Sequence, residues 1–156
     1  MLLIYGVPDH KENYDKQDKG FSFLKVELPG FYVPNKSEKK QLLEILGISK
    51  RFQQTFDAVC MKVSDFSKIK TAKDFDLLEI KTTGKHLPAL PEGFFFGMTE
   101  NEEMLLKVFE GKYFLCLLSL HPKSKNFVLV DWSQLETLTQ NKRVQYQINL
   151  KTKKKS

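Results

Sequence analysis

Candidate chemistry begins in Phe75–Thr83, read FDLLEIKTT, where a carboxylate and an ammonium, Glu79 and Lys81, stand two residues apart. An extended chain turns alternate side chains to opposite faces. Leu78 and Ile80 then share one face, and Leu77, Glu79 and Lys81 share the other, with the two charges about 6–7 Å apart along the strand. The layout suits a divalent ion held by Glu79 beside a phosphate or attacking water contacted by Lys81. As a bare pattern Glu-x-Lys says little, because it recurs at Glu38/Lys40 and Glu110/Lys112. Those copies fall at the ends of helix-like segments; only Glu79 sits inside an apolar strand. The competing reading is an edge strand with a surface ion pair worth about 0–1 kcal/mol.

A second carboxylate lies upstream. Phe56–Val63, FDAVCMKV, reads as another strand, and Asp57 stands at its start, 22 residues before Glu79. Two neighbouring strands would bring both acids to one cation, since Mg²⁺ takes oxygen ligands at about 2.0–2.1 Å and keeps several waters. Asp57, Glu79 and Lys81 form the smallest set that holds a metal, orients water and offsets phosphate charge. The alternative for Asp57 is a plain strand-start aspartate.

Asp57 followed by Glu79-x-Lys81 on an apolar strand resembles the active-site signature of the PD-(D/E)XK nuclease superfamily, which includes many type II restriction endonucleases. Phe75–Leu120 also resembles the nuclease-like domain at the C-terminus of the plant NO VEIN protein and its microbial relatives. There a strand ending in E-x-K-T-T leads to an aromatic strand, an N-E helix start and another apolar strand; here these are Glu79–Thr83, Phe94–Phe96, Asn101–Glu102 and Tyr113–Leu120. The resemblance spans about half the chain and implies Mg²⁺-dependent hydrolysis of DNA phosphodiester bonds, with Mn²⁺ as a substitute. It assigns Asp57, Glu79 and the backbone carbonyl of Ile80 to the metal, and Lys81 to the attacking water or the pentavalent phosphate. The sequence departs from the pattern in having Phe56 where proline often precedes the first acid. Pro8–Asp9 has the nominal dipeptide but precedes a polar stretch far from the core strands.

The elements that must position these groups follow from periodicity. Leu2–Tyr5 reads as a short strand, His10–Lys19 as a polar loop, and Phe21–Leu28 as an alternating strand ended by Pro29–Gly30. Asn35 and Glu38 form a capping box for a helix with the stripe Leu42, Leu43 and Leu46, closed by Gly47; Glu38 and Glu44 are read as solvated. Gly93–Gly97 reads as an aromatic strand. Thr99 and Glu102 form a second capping box, before a buried stripe of Met104, Leu105, Val108 and Phe109. Acids at 100, 102 and 103 suit the positive end of that helix. Tyr113–Leu120 reads as a central strand and Phe127–Val130 as a further one. Asp131 and Gln134 cap a short helix, and Arg143–Leu150 reads as a last alternating strand.

These elements give an α/β fold, a mixed sheet flanked by helices, and the resemblance implies that it is restriction-endonuclease-like, with residues 1–150 as one domain and 151–156 as a basic flexible tail. Lys50, Arg51 and Gln53 before Asp57, Lys68 and Lys70 between the two strands, and Lys85 and His86 after the second are the candidate nucleic-acid contacts. A formal net charge of +6 fits a nucleic-acid partner, but four of the last six residues are lysines, so the body is only mildly basic. Cys60 and Cys116 each lie in an apolar run and read as buried free thiols rather than a disulfide framework. Met1–Ile4 is too short for a signal peptide, and no stretch reaches membrane-span length, so a cytoplasmic location without membrane contact is expected. A twofold homodimer would let two sites address two DNA strands. The other classes are a catalytically silent DNA-binding protein of the same fold and a protein-interaction module built on Trp132 and the aromatic run.

Overall fold

The computed structural model describes residues 10–153. The nine-residue run Phe75–Thr83 forms β3, the middle of five strands. Around it stand β1 (Phe31–Tyr32), β2 (Ala58–Met61), β4 (Tyr113–Ser119) and β5 (Asn126–Val130). Sequence order and spatial order coincide. β1–β2, β2–β3 and β4–β5 are antiparallel, and only β3–β4 is parallel. A parallel pair needs a long crossover, which here runs through α3 (Glu100–Val108). The fold is a small α/β domain, a mixed five-stranded sheet with helices on both faces.

The alternation of β3 decides what each face meets. Phe75 and Leu77 enter the larger core with Val59, Tyr113, Leu115, Leu117 and Val130, covered by Leu42 and Leu43 of α2 (Lys36–Leu46) and by Leu105 and Leu106 of α3. Ile80 turns the other way, to a smaller cluster in which Leu24 of α1 (His10–Glu27) meets Cys116 and Leu118. Glu79 and Lys81 continue the Phe75–Leu77 face, so the two charges project towards α2 and α3 rather than into water. Burying a leucine contributes about 1.5–3 kcal/mol, and the leucines on both sides of β3 make its register costly to shift by one residue.

All three expected capping boxes form: Asn35 with Glu38, Thr99 with Glu102, and Asp131 with Gln134 at the head of α4 (Trp132–Leu138). Gly47 caps α2 in the left-handed region, with φ 70°.

Several local expectations are corrected. His10–Lys19 is not a loop and Phe21–Leu28 is not a strand; residues 10–27 form α1. Phe21 and Phe23 are partly buried on this helix, and Gly20, Leu24 and Leu28 recur at helical spacing. Gly20 lies so near the sheet that an added Cβ would stand 3.0 Å from Leu118 Cδ2. Phe94–Phe96 form no strand: Phe94 meets Phe96 edge-on at 6.0 Å while Phe95 stays 64 % exposed. The buried stripe of α3 is Glu102, Leu105 and Leu106, with Met104 and Val108 exposed. The strand expected at Arg143–Leu150 does not form, and Val144, Tyr146, Ile148 and Leu150 stand in solvent. Cys116 is buried as expected, whereas Cys60 is only partly so. Leu2–Tyr5 lies outside the described residues.

Candidate functional site

The last ladder pair between β2 and β3 is Ala58 with Leu78. One step further places Asp57 across from Glu79. Its backbone N–H donates to the Leu78 carbonyl at 2.9 Å, and its Oδ2 accepts the Ile80 N–H, also at 2.9 Å. Asp57 thus completes the β3 edge where β2 ends. Because strand N–H and C=O groups of one residue face the same edge, the Ile80 carbonyl turns to the side that Asp57 occupies.

Glu79 is 9 % exposed, and its Oε2 is buried without a hydrogen-bond partner. Burial pushes its carboxyl well above the ordinary range, and the Asp57 charge beside it adds to the push, against a smaller opposing pull from Lys81. A buried carboxylate beside a half-buried one favours either a shared proton or a shared cation. Asp57 and the Ile80 carbonyl on the β2 edge, and the Glu79 carboxylate rising from the sheet face with one oxygen unsatisfied, are hard oxygen donors of the kind a divalent ion takes, with waters to complete the shell. Among the described residues no group of three or more His, Cys, Asp or Glu side chains is placed to hold a metal, so water and substrate oxygens would have to supply the remaining ligands.

Lys81 is not a surface cation. Its Nζ donates to both oxygens of Glu102, at 2.9 and 3.0 Å, and stands 3.9 Å from Glu79 Oε1. The Lys81 and Glu102 side chains are only 11 % and 6 % exposed. Glu102 Oε1 also accepts the Thr99 N–H at 3.3 Å, so the capping box of α3 and the lysine of β3 share one carboxylate. Behind them the Tyr113 hydroxyl donates to the Thr55 carbonyl. Burial first, and then the charges of Glu79, Glu102 and Asp57, raise the Tyr113 phenol.

Glu102 is the functional candidate that motif reading misses, since the N-terminal charge preference of a helix already accounts for an acid there. The available signal is its place at the head of the i, i+3, i+4 stripe formed with Leu105 and Leu106, where an apolar residue belongs. Glu38 and Glu44 do not reach the site. Glu38 accepts the Tyr32 hydroxyl at 2.8 and 2.9 Å and Glu44 is exposed.

The seven candidate nucleic-acid contacts separate. Lys50 is exposed at the start of a 3-10 turn, Lys50–Thr55. The Arg51 guanidinium lies over the Phe52 ring, 4.5 Å from its centroid, and reaches Met104 Sδ at 3.9 Å. Gln53 donates to the Lys36 carbonyl at 3.3 Å. Lys68 and Lys70 are exposed in the β2–β3 connection, which leaves from Met61 and returns at Phe75; that is the far end of the strand pair from Asp57, about 13 Å along it. Lys85 and His86 follow the other end of β3, where His86 stacks on His121 with centroids 4.8 Å apart.

Comparison of the chain with protein-family models, curated proteins and solved structures returns no match. No helix among the described residues is long and apolar enough to cross a membrane.

Proposed function

We propose that this chain is a metal-dependent nuclease that hydrolyses DNA phosphodiester bonds on a restriction-endonuclease-like scaffold. One observation carries the reading: Asp57 and Glu79, far apart in sequence, meet across the β2–β3 edge, with one Glu79 oxygen unsatisfied and the Lys81 ammonium 3.9 Å from the other. The likeness of these residues to the PD-(D/E)XK signature supports it. Asp57, Glu79 and the Ile80 carbonyl would hold Mg²⁺ or Mn²⁺, which when bound polarises a phosphoryl oxygen and makes its water a nucleophile near neutral pH. The protein's own residues do the rest. Lys81 places a cation beside the carboxylate pair, where negative charge develops on the phosphate, and Glu102 fixes the lysine's position from α3. The buried wall of Tyr113, Leu115 and Leu117 keeps bulk water away from that side.

The test incubates folded protein with methylated and unmethylated duplexes, branched DNA, single strands and RNA, with Mg²⁺ or Mn²⁺ and then with chelator. Native protein is expected to produce new ends only with metal. Glu79→Gln, Asp57→Asn and Lys81→Met should fold and cut at least about 10²-fold more slowly. Inactivity of the native protein across the panel, or native-rate cutting by Glu79→Gln, overturns the reading. A nucleic-acid-binding protein without cleavage is the second reading, favoured by one distance: Lys81 sits 2.9 Å from Glu102 but 3.9 Å from Glu79. Metal-independent binding with no cleavage would select it.

A further inference from the structure

Of the two paired carboxylates, Asp57 borders open space. It lines a cleft of about 360 Å³ together with Pro34, Lys36, Lys39, Gln53, Gln54 and Phe56. The lining is mainly cationic and amide, with Asp57 its one acid. Its walls are tied together before any ligand arrives. Lys39 Nζ donates to the carbonyl of Phe56 at 3.0 Å and lies 5.3 Å from that ring's centroid. Gln53 Nε2 bridges to the Lys36 carbonyl, and Asp57 Oδ2 is fixed by the Ile80 N–H. The other side of Glu79 is closed by the Lys81–Glu102 pair and by Tyr113.

We infer that this cleft binds a backbone phosphate of the nucleic-acid strand next to the one presented to Asp57 and Glu79, with Lys36 and Lys39 as its cations. The inference rests on the nuclease reading and says where the strand enters. It comes across the start of α2 and the 3-10 turn, on the β2 side of β3, and not along the β2–β3 connection that carries Lys68 and Lys70. An anion fits here because two lysines line a groove whose described walls hold no carboxylate besides Asp57. A lysine at a phosphate acts as a point charge and positions the strand without reading sequence. Gln54, exposed on the same wall, supplies an amide to sugar or base edges. An uncharged small molecule would gain little from such a lining, which offers few apolar surfaces.

The probe is a fluorescein-labelled 20-base-pair duplex and a matching single strand, titrated in chelator at several salt concentrations so that binding is read without cleavage. The proteins are the native chain, Lys36→Gln/Lys39→Gln, and Lys68→Gln/Lys70→Gln as a charge-matched control. Removing both cleft lysines should weaken duplex binding about tenfold. For the duplex, the slope of log K against log salt should shrink by about 0.9, for the one phosphate no longer neutralised. The control pair should keep the native slope. Because Lys39 also ties the wall to Phe56, Lys36→Glu alone, on an exposed side chain, is measured in parallel and should weaken binding without lowering the melting temperature. Equal losses in cleft and control variants, an unchanged slope in the cleft variants, or no nucleic-acid binding by the native protein overturns the inference. The nuclease reading fails separately: a native protein that binds through the cleft but cuts nothing with metal sinks that reading and leaves the cleft standing. A protein that cuts with metal while the cleft variants bind as native does the reverse.

Discussion

Glu102→Gln isolates the charge that holds Lys81. Glutamine preserves the side chain's length and its carbonyl oxygen, so the bond from the Thr99 N–H at 3.3 Å can persist and α3 keeps its cap. What disappears is the anion facing Lys81 Nζ at 2.9 and 3.0 Å, in a pair whose side chains are 11 % and 6 % exposed. Breaking a buried pair by removing one partner costs about 3–5 kcal/mol, because a desolvated charge is left behind. The expectation lies at the low end, about 3 kcal/mol, since Glu79 Oε1 is already 3.9 Å from Lys81 and has an unsatisfied oxygen beside it. For a chain of this size the loss lowers the melting midpoint by about 6–12 °C. Urea unfolding of the native protein, Glu102→Gln, Lys81→Met and the double variant closes the cycle. The double variant should recover part of the loss, with a coupling of at least about 1 kcal/mol. A Glu102→Gln protein within about 0.5 kcal/mol of native, or additive single losses, would refute the claim that this pair is desolvated and mutually dependent.

The pH dependence of stability follows from Glu79. A carboxyl raised in the folded state holds its proton more tightly folded than unfolded. Its contribution is therefore complete below the ordinary value of 4.5 and is lost as pH rises through the higher folded value. Metal-free native protein should lose melting temperature from about pH 5 upward relative to Glu79→Gln, and excess Mg²⁺ should remove the difference; parallel melting curves for the two proteins would contradict this. At Gly30, φ is +85° and an added Cβ would stand 2.2 Å from the Met61 carbonyl oxygen, whereas at Gly47, with φ +70°, nothing lies within 4 Å. Gly30→Ala should cost at least about 2 kcal/mol and Gly47→Ala only about 1, a difference read by urea unfolding and undone if the two midpoints coincide.

Much of the site's frame was legible along the chain. Local hydrogen bonds define a capping box, so Asn35 with Glu38, Thr99 with Glu102 and Asp131 with Gln134 could be read from residue type and spacing. The bounds of β3 came from its apolar run, and the facing of Glu79 and Lys81 from the period of two, which no tertiary interaction can change within an extended strand. Local pattern failed where two periods compete. Phe21 and Phe23 satisfy an alternating strand, and only the close approach of Gly20 to Leu118, together with burial of Leu24 and exposure of Val26, selects the helix. Val144, Tyr146, Ile148 and Leu150 alternate as a strand does, yet a strand needs a partner and none of the described strands pairs with them. The centre itself belongs to tertiary structure. Asp57 and Glu79 meet because Ala58 pairs with Leu78, a register set by burial on both faces of β3 rather than by either strand alone. Glu102 looked like one of three acids at a helix start; the β3–α3–β4 crossover lays its buried face over Lys81 and turns a capping residue into the partner of a buried cation.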